Sequence, residues 1–140
     1  FAKGFIGLMG NPHTLGEAYQ ITSDESLTWN QIYKTIADAL EVPFKPYYVA
    51  SDYLDAVAPY DYRGALLGDK SNSVVFDNTK LKRAVPGFQA EVRFEQGIRK
   101  TLAYVLSHPE CQQEDPDFDA WCDRVIAALE KTKTSLKADI

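Results

Sequence analysis

GEAYQITSDESLTWNQIYKTIADAL, residues 16–40, carries the strongest structural signals in the chain. Residues 18–22 alternate, with Ala18, Gln20 and Thr22 on one side and Tyr19 and Ile21 on the other. That is the period of a half-buried strand. Residues 23–27 form a turn, polar except at Leu27. Thr28 then opens a helix: its hydroxyl can accept the amide proton of Gln31, and the Gln31 side chain can reach back to the amide of Thr28. Beyond this capping box, Trp29, Ile32, Tyr33, Ile36 and Leu40 fall on one helical face. A strand, a turn and a capped helix make a unit around which the remaining elements can pack.

Upstream, Phe1, Phe5, Leu8 and Met9 stand at helical spacing, and Gly10 followed by Pro12 stops that helix. No capping residue precedes it, so the chain reads as cut from something longer. Downstream, residues 47–50 form a short apolar strand. Ser51 can cap a helix over 52–58, and residues 60–67 read as a further helical turn ending at Gly68. Val74, Val75 and Phe76 read as a buried strand. Asp77 caps a brief helix over 78–85, and residues 88–92 alternate as a strand with one wet face. Phe94, Ile98, Leu102 and Val105 mark a helix over 94–106. Asp115 is an N-cap with Pro116 at the first helical position, and the helix that follows has an acidic start and a basic end, both suited to its dipole. This order of elements predicts a mixed α/β fold, a small sheet of short strands covered by helices. Residues 1–112 make one domain, on which a C-terminal helix, 113–140, packs.

Composition narrows the function. The chain has 140 residues, 45% hydrophobic and 25% charged, as ordinary globular domains have. Its net charge of −5 argues against nucleic acid as a general partner. No apolar run approaches the ~20 residues of a membrane span, and no signal peptide is visible. The two cysteines, Cys111 and Cys122, lack metal-ligand spacing, and two thiols suit a reducing, cytoplasmic compartment. His13 and His108 read as surface residues. Glu114, Asp115, Asp117 and Asp119 lack the glycine and closing glutamate of a calcium loop, so helix capping explains them. No metal site is expected.

Gly4, Gly7 and Gly10 have the spacing of a dinucleotide-binding loop. Only three residues precede them, however, and Pro12 would stop the following helix at once. They read instead as small residues on a packed helix, with Gly10 at its end. Lys80, Lys82 and Arg83 read as a solvated face. The candidates for substrate binding are Arg63 and Lys70, which could hold an anion, and Tyr60 and Tyr62, which could stack on a sugar or base.

Several of these stretches, in order, resemble the C-terminal substrate-binding portion of extended short-chain dehydrogenases, the NAD-dependent epimerase/dehydratase family. Gly16, Glu17, Tyr19 and Ile21 look like the family's Gly-Glu-x-Tyr-x-Ile strand. Thr28, Ile32 and Leu40 look like the helix after it. Asp77, Thr79 and Lys80 are similar to its Asp-x-Ser-Lys element, and Glu95, Gly97, Ile98 and Thr101 to its Glu-x-Gly-Ile-x-x-Thr helix. The resemblance covers residues 1–106. It implies the C-terminal lobe of such an enzyme without its Rossmann domain. NAD(P) would be bound by that N-terminal domain, the chain's own partner, and no cofactor by this chain.

The family's catalytic Tyr-x-x-x-Lys is missing: none of the tyrosines 19, 33, 47, 48, 53, 60, 62 and 104 has a lysine four residues on. By resemblance this is the substrate-binding part of an NAD(P)-dependent epimerase, dehydratase or reductase, not catalytic alone, from a parent that could be a homodimer. Its substrate would be sugar-like and in many relatives is nucleotide-linked. Leu67 departs from that pattern, standing where nucleotide-sugar enzymes often carry an arginine, with Arg63 or Lys70 as the available substitutes. The alternative is a non-catalytic member of the same scaffold that binds RNA or another ligand.

Overall fold

In a computed structural model that describes residues 1–138, every regular element is a helix or a helical turn, and no described residue lies in a strand. The α-helices are α1 (Ala2–Leu8), α2 (Trp29–Ala39), α3 (Ser51–Val57), α4 (Thr79–Ala84), α5 (Phe94–Ser107) and α6 (Pro116–Ala138). A π-helical turn, Arg63–Gly68, continues into a 3₁₀ turn, Asp69–Ser71, and further 3₁₀ turns lie at Pro12–Thr14 and Pro109–Cys111.

The expected α/β fold is thus corrected: residues 18–22, 47–50, 74–76 and 88–92 form no sheet. Among the described residues, no backbone hydrogen bond links any of these segments to another. Alternation reports a chain with one side dry, and in residues 18–22 and 88–92 the helix α1 meets that side instead of a second strand. Ile21 and Phe88 both lie against Gly4 of α1, where an added Cβ would stand 2.9 Å from Ile21 Cγ2 and 3.1 Å from Phe88 Cε2. Gly7, one turn on, meets the side chain of Val85, just past α4. The glycines at 4 and 7 are therefore the small face of a packed helix, as their setting in the sequence implied. Gly10 takes the left-handed φ of 75° just past the helix end.

Helix signals behave as local chemistry dictates. The Thr28 box forms in both directions: Gln31 N donates to Thr28 Oγ1 at 3.3 Å, and Thr28 N to Gln31 Oε1 at 2.8 Å. Phe118 N donates to Asp115 Oδ1 at 3.0 Å, with Pro116 opening α6. Ser51 does not cap α3. It is the first helical residue, Ala50 holds the cap position, and the Tyr53 amide donates to Asp52 Oδ1 instead. Asp77 Oδ1 accepts from the Thr79 amide at 2.8 Å, although Asn78 occupies the cap position of α4. At the far end of α2, Glu41 adopts the left-handed conformation (φ 58°), and the Val42 amide reaches back to Ala37 O. Glycine is the usual residue there.

The chain divides into two compact units, Phe1–Lys100 and Thr101–Ile140. In the first, Leu81 is wholly buried, and Ala37, Phe88 and Gly4 are buried with it. Buried Asn78 donates to Thr22 O at 3.0 Å and to Asp24 Oδ1 at 2.9 Å, tying the 18–27 segment to the start of α4. In the second, Trp121 and Val125 of α6 are buried, and the Phe118 and Trp121 rings meet at 5.9 Å. Among the described residues, no helix is long and apolar enough to cross a membrane.

Candidate functional site

The first unit contains a cleft of about 760 Å³ between residues 22–29 and residues 69–76. Its walls come from the turn before α2, the first residue of α2, the 3₁₀ turn, and the extended segment that follows. α2 places Trp29 on one rim. The capping box holds its first turn, so the indole sits at a fixed point beside a polar turn. Trp29 is 58% exposed and its ring lies 6.0 Å from that of Tyr33. The apolar stripe expected on α2 is accordingly narrower than its spacing suggests: Ala37 is buried and Ile32 and Ile36 half-buried, while Trp29, Tyr33 and Leu40 reach solvent.

Glu25 anchors the floor of the 22–29 side. Its Oε2 accepts from the Phe94 amide at 2.7 Å, satisfying an orphan donor at the start of α5, and its Oε1 lies 3.4 Å from Arg93 Nε. Asp24 is held by Lys82 Nζ at 2.6 Å and by Asn78, which together lower its carboxyl below the usual range. Glu17 is held by Lys80 Nζ at 2.6 Å, and that hydrogen bond and charge lower its pKa likewise. The same ammonium lies 4.8 Å from the centre of the Tyr19 ring. Lys80 and Lys82, read from the sequence as a solvated face, thus each clasp a carboxylate of the 17–24 segment.

The four sequence candidates are split. Lys70 lines the cleft, its ammonium 3.3 Å from Asp69 Oδ2. Arg63 lines a separate cavity of about 470 Å³ with Asp61, Gly64, Leu67 and Gly68, and its guanidinium lies 3.9 Å from Asp55. Leu67, at the position where the resemblance would place an arginine, supplies apolar surface to that cavity. The Tyr60 and Tyr62 rings contact each other at 6.0 Å and line neither space. The Arg63 cavity wraps a π-helical turn, a rare conformation frequent at functional sites.

Trp29, Ser26 and Ser73 also line the cleft, and none was singled out from the sequence as a site residue. A tryptophan at the first position of a capped helix, after a polar turn, was the available signal: a helix end has no neighbouring turn to cover it. Ser26 and Ser73 carry no such mark, because 46 residues separate them and only folding brings their segments together.

Among the described residues, no three His, Cys, Asp or Glu side chains gather as metal ligands. Burial, with Asp119 and Asp123 nearby, raises the pKa of the Cys122 thiol, which disfavours the nucleophilic thiolate. Ile21, Phe88 and Val85 fill the space over Gly4 and Gly7, while among the described residues nothing beyond its chain neighbours lies within 4 Å of the Cβ position at Gly10. No protein-family model, curated protein sequence or solved structure matches the chain.

Proposed function

We propose that this chain is the substrate-binding part of an NAD(P)-dependent epimerase, dehydratase or reductase that acts on a sugar-like molecule, with cofactor and catalytic groups held in another domain of the parent enzyme. The observation that carries the reading is the cleft: an exposed indole, several hydroxyls and one ammonium converge there. Clefts with a few convergent polar groups are the usual form of small-molecule sites. The resemblance of several stretches within residues 1–106, in order, to the epimerase/dehydratase family supports the same reading. So does the packed glycine face, which leaves the cofactor to be bound elsewhere.

The test is an assay of the parent protein for NAD(P)H formation or consumption with free and nucleotide-linked hexoses, alongside a titration of this chain with NADH. Nicotinamide-linked turnover by the parent, with no NADH binding by the chain, is the expected result. Saturable NADH binding by the chain, or no turnover of any hexose by the parent, would overturn the reading.

A further inference from the structure

Charge around the cleft discriminates between ligand classes. Lys70 is the one cation in the lining, against the carboxylates of Asp69 and Glu25. Its ammonium is already engaged by Asp69 at 3.3 Å. Glu25 is likewise paired with Arg93 at 3.4 Å, so the lining holds no spare cation, and it lacks the guanidinium fork that grips phosphates in pairs of hydrogen bonds. Arg63, which could supply one, lines the other cavity.

What the cleft does offer is neutral. Among the described residues, the hydroxyls of Ser26 and Ser73 and the indole N–H of Trp29 have no hydrogen-bond partner in the protein. The indole adds a flat apolar surface beside them. An uncharged pyranose matches this set, with C–H groups on one face for the indole and hydroxyls around its edge for the serines.

We infer that the cleft between residues 22–29 and 69–76 receives the uncharged ring of a free hexose and excludes a nucleotide diphosphate, because Trp29, Ser26 and Ser73 converge there without a spare cation. This rests on the reading of the cleft as the substrate seat, and it narrows the substrate to sugars that carry no phosphate.

The experiment is an amide NMR titration of the full chain with D-glucose, D-galactose and D-mannose, and separately with UDP. At least one hexose should shift the amides of residues 26, 29 and 73 saturably, with a Kd on the order of 1 mM. Trp29→Ala should weaken that binding at least tenfold and Ser73→Ala severalfold, while Lys70→Ala changes it less than twofold. Both Trp29 and Ser73 are exposed, so the variants keep their fold, and the unshifted remainder of the spectrum verifies this. UDP binding at these amides that is lost in Lys70→Ala, or no saturable shift with any of the three hexoses, would overturn the inference. Hexose binding by the chain with no nicotinamide-linked turnover by the parent would end the proposed enzyme and leave this inference standing. Turnover of a nucleotide-linked sugar only, with UDP contacting the cleft, would do the reverse.

Discussion

Two regions of the first unit use similar residues to opposite ends. Around Gly4, Ile21, Leu81 and Phe88, apolar side chains interlock and the nearby polar groups are paired: Asn78 with Thr22 and Asp24, Lys82 with Asp24, Lys80 with Glu17. Along residues 72–76, the equally apolar Val74, Val75 and Phe76 are 62%, 76% and 55% exposed, and among the described residues their backbone bonds to no other backbone group. The first region excludes water and holds the unit together. The second leaves surface and hydrogen-bonding capacity unspent beside the cleft. Hydrophobic character alone does not separate them; the presence of glycines small enough to let another segment approach does.

That contrast is most easily broken in the packed region. Leu81→Ala should lower unfolding free energy by about 3 kcal/mol, because the side chain is fully buried and its truncation leaves a cavity. Val75→Ala, also an apolar truncation, should change it by less than about 0.5 kcal/mol. Urea denaturation of the two variants measures both. Comparable losses would show that the 72–76 segment is as structural as the α1 contact. Asn78→Ala comes next, at about 1–2 kcal/mol, since it removes donors to both Thr22 O and Asp24 Oδ1 at a buried position.

Glu41→Gly should raise stability by about 0.5 kcal/mol, as the left-handed conformation at the end of α2 suits glycine better. A loss measured in the same urea experiment would mean that the glutamate side chain makes up for its backbone strain.

The smallest effect is electrostatic. Asp24 and Glu17 have lowered pKa values in the folded chain, caused first by hydrogen bonds from Lys82 and Lys80. A lowered folded pKa gives stability that is present above the unfolded carboxylate range and is lost as pH falls through the folded value. The urea midpoint should therefore be flat in this respect from pH 7 to about pH 5 and fall below about pH 4. Asp24→Asn should blunt that fall, and an identical acid limb in the variant would remove the clasp from the account. Both pairs are exposed, so salt should weaken them.

How much of this could be read beforehand follows the range of the interactions. The capping box at Thr28 and the Asp115 cap lie within one turn of chain, and each was legible; Gly4 and Gly7 were legible as small helix positions, but Ile21, Val85 and Phe88, which pack on them, come from far along the chain. Residues 18–22 and 88–92 alternate and residues 47–50 and 74–76 are short apolar runs, but neither pattern fixes strand pairing, since a helix face dries a segment's side as well as a second strand does. Lys70 stands out in the sequence as a cation in a polar loop, and the structure places it in the lining of the cleft. The separation of Lys70 from Arg63, seven residues earlier, was not legible, because the π-helical turn that runs from Arg63 toward it decides which cavity each residue lines.

From its residues alone the chain specifies the helices α2 and α6 with their caps at Thr28 and Asp115, because each depends on hydrogen bonds and sterics between near neighbours. Folding in three dimensions is what laid Ile21 and Phe88, from two of the four candidate strands, against α1, left Val74, Val75 and Phe76 exposed, and set Trp29, Ser26 and Ser73 around one cleft. The reason is physical: sheet pairing and a ligand's seat both require segments far apart in the chain to meet, and no local pattern encodes which of the possible meetings buries the most surface with its polar groups paired.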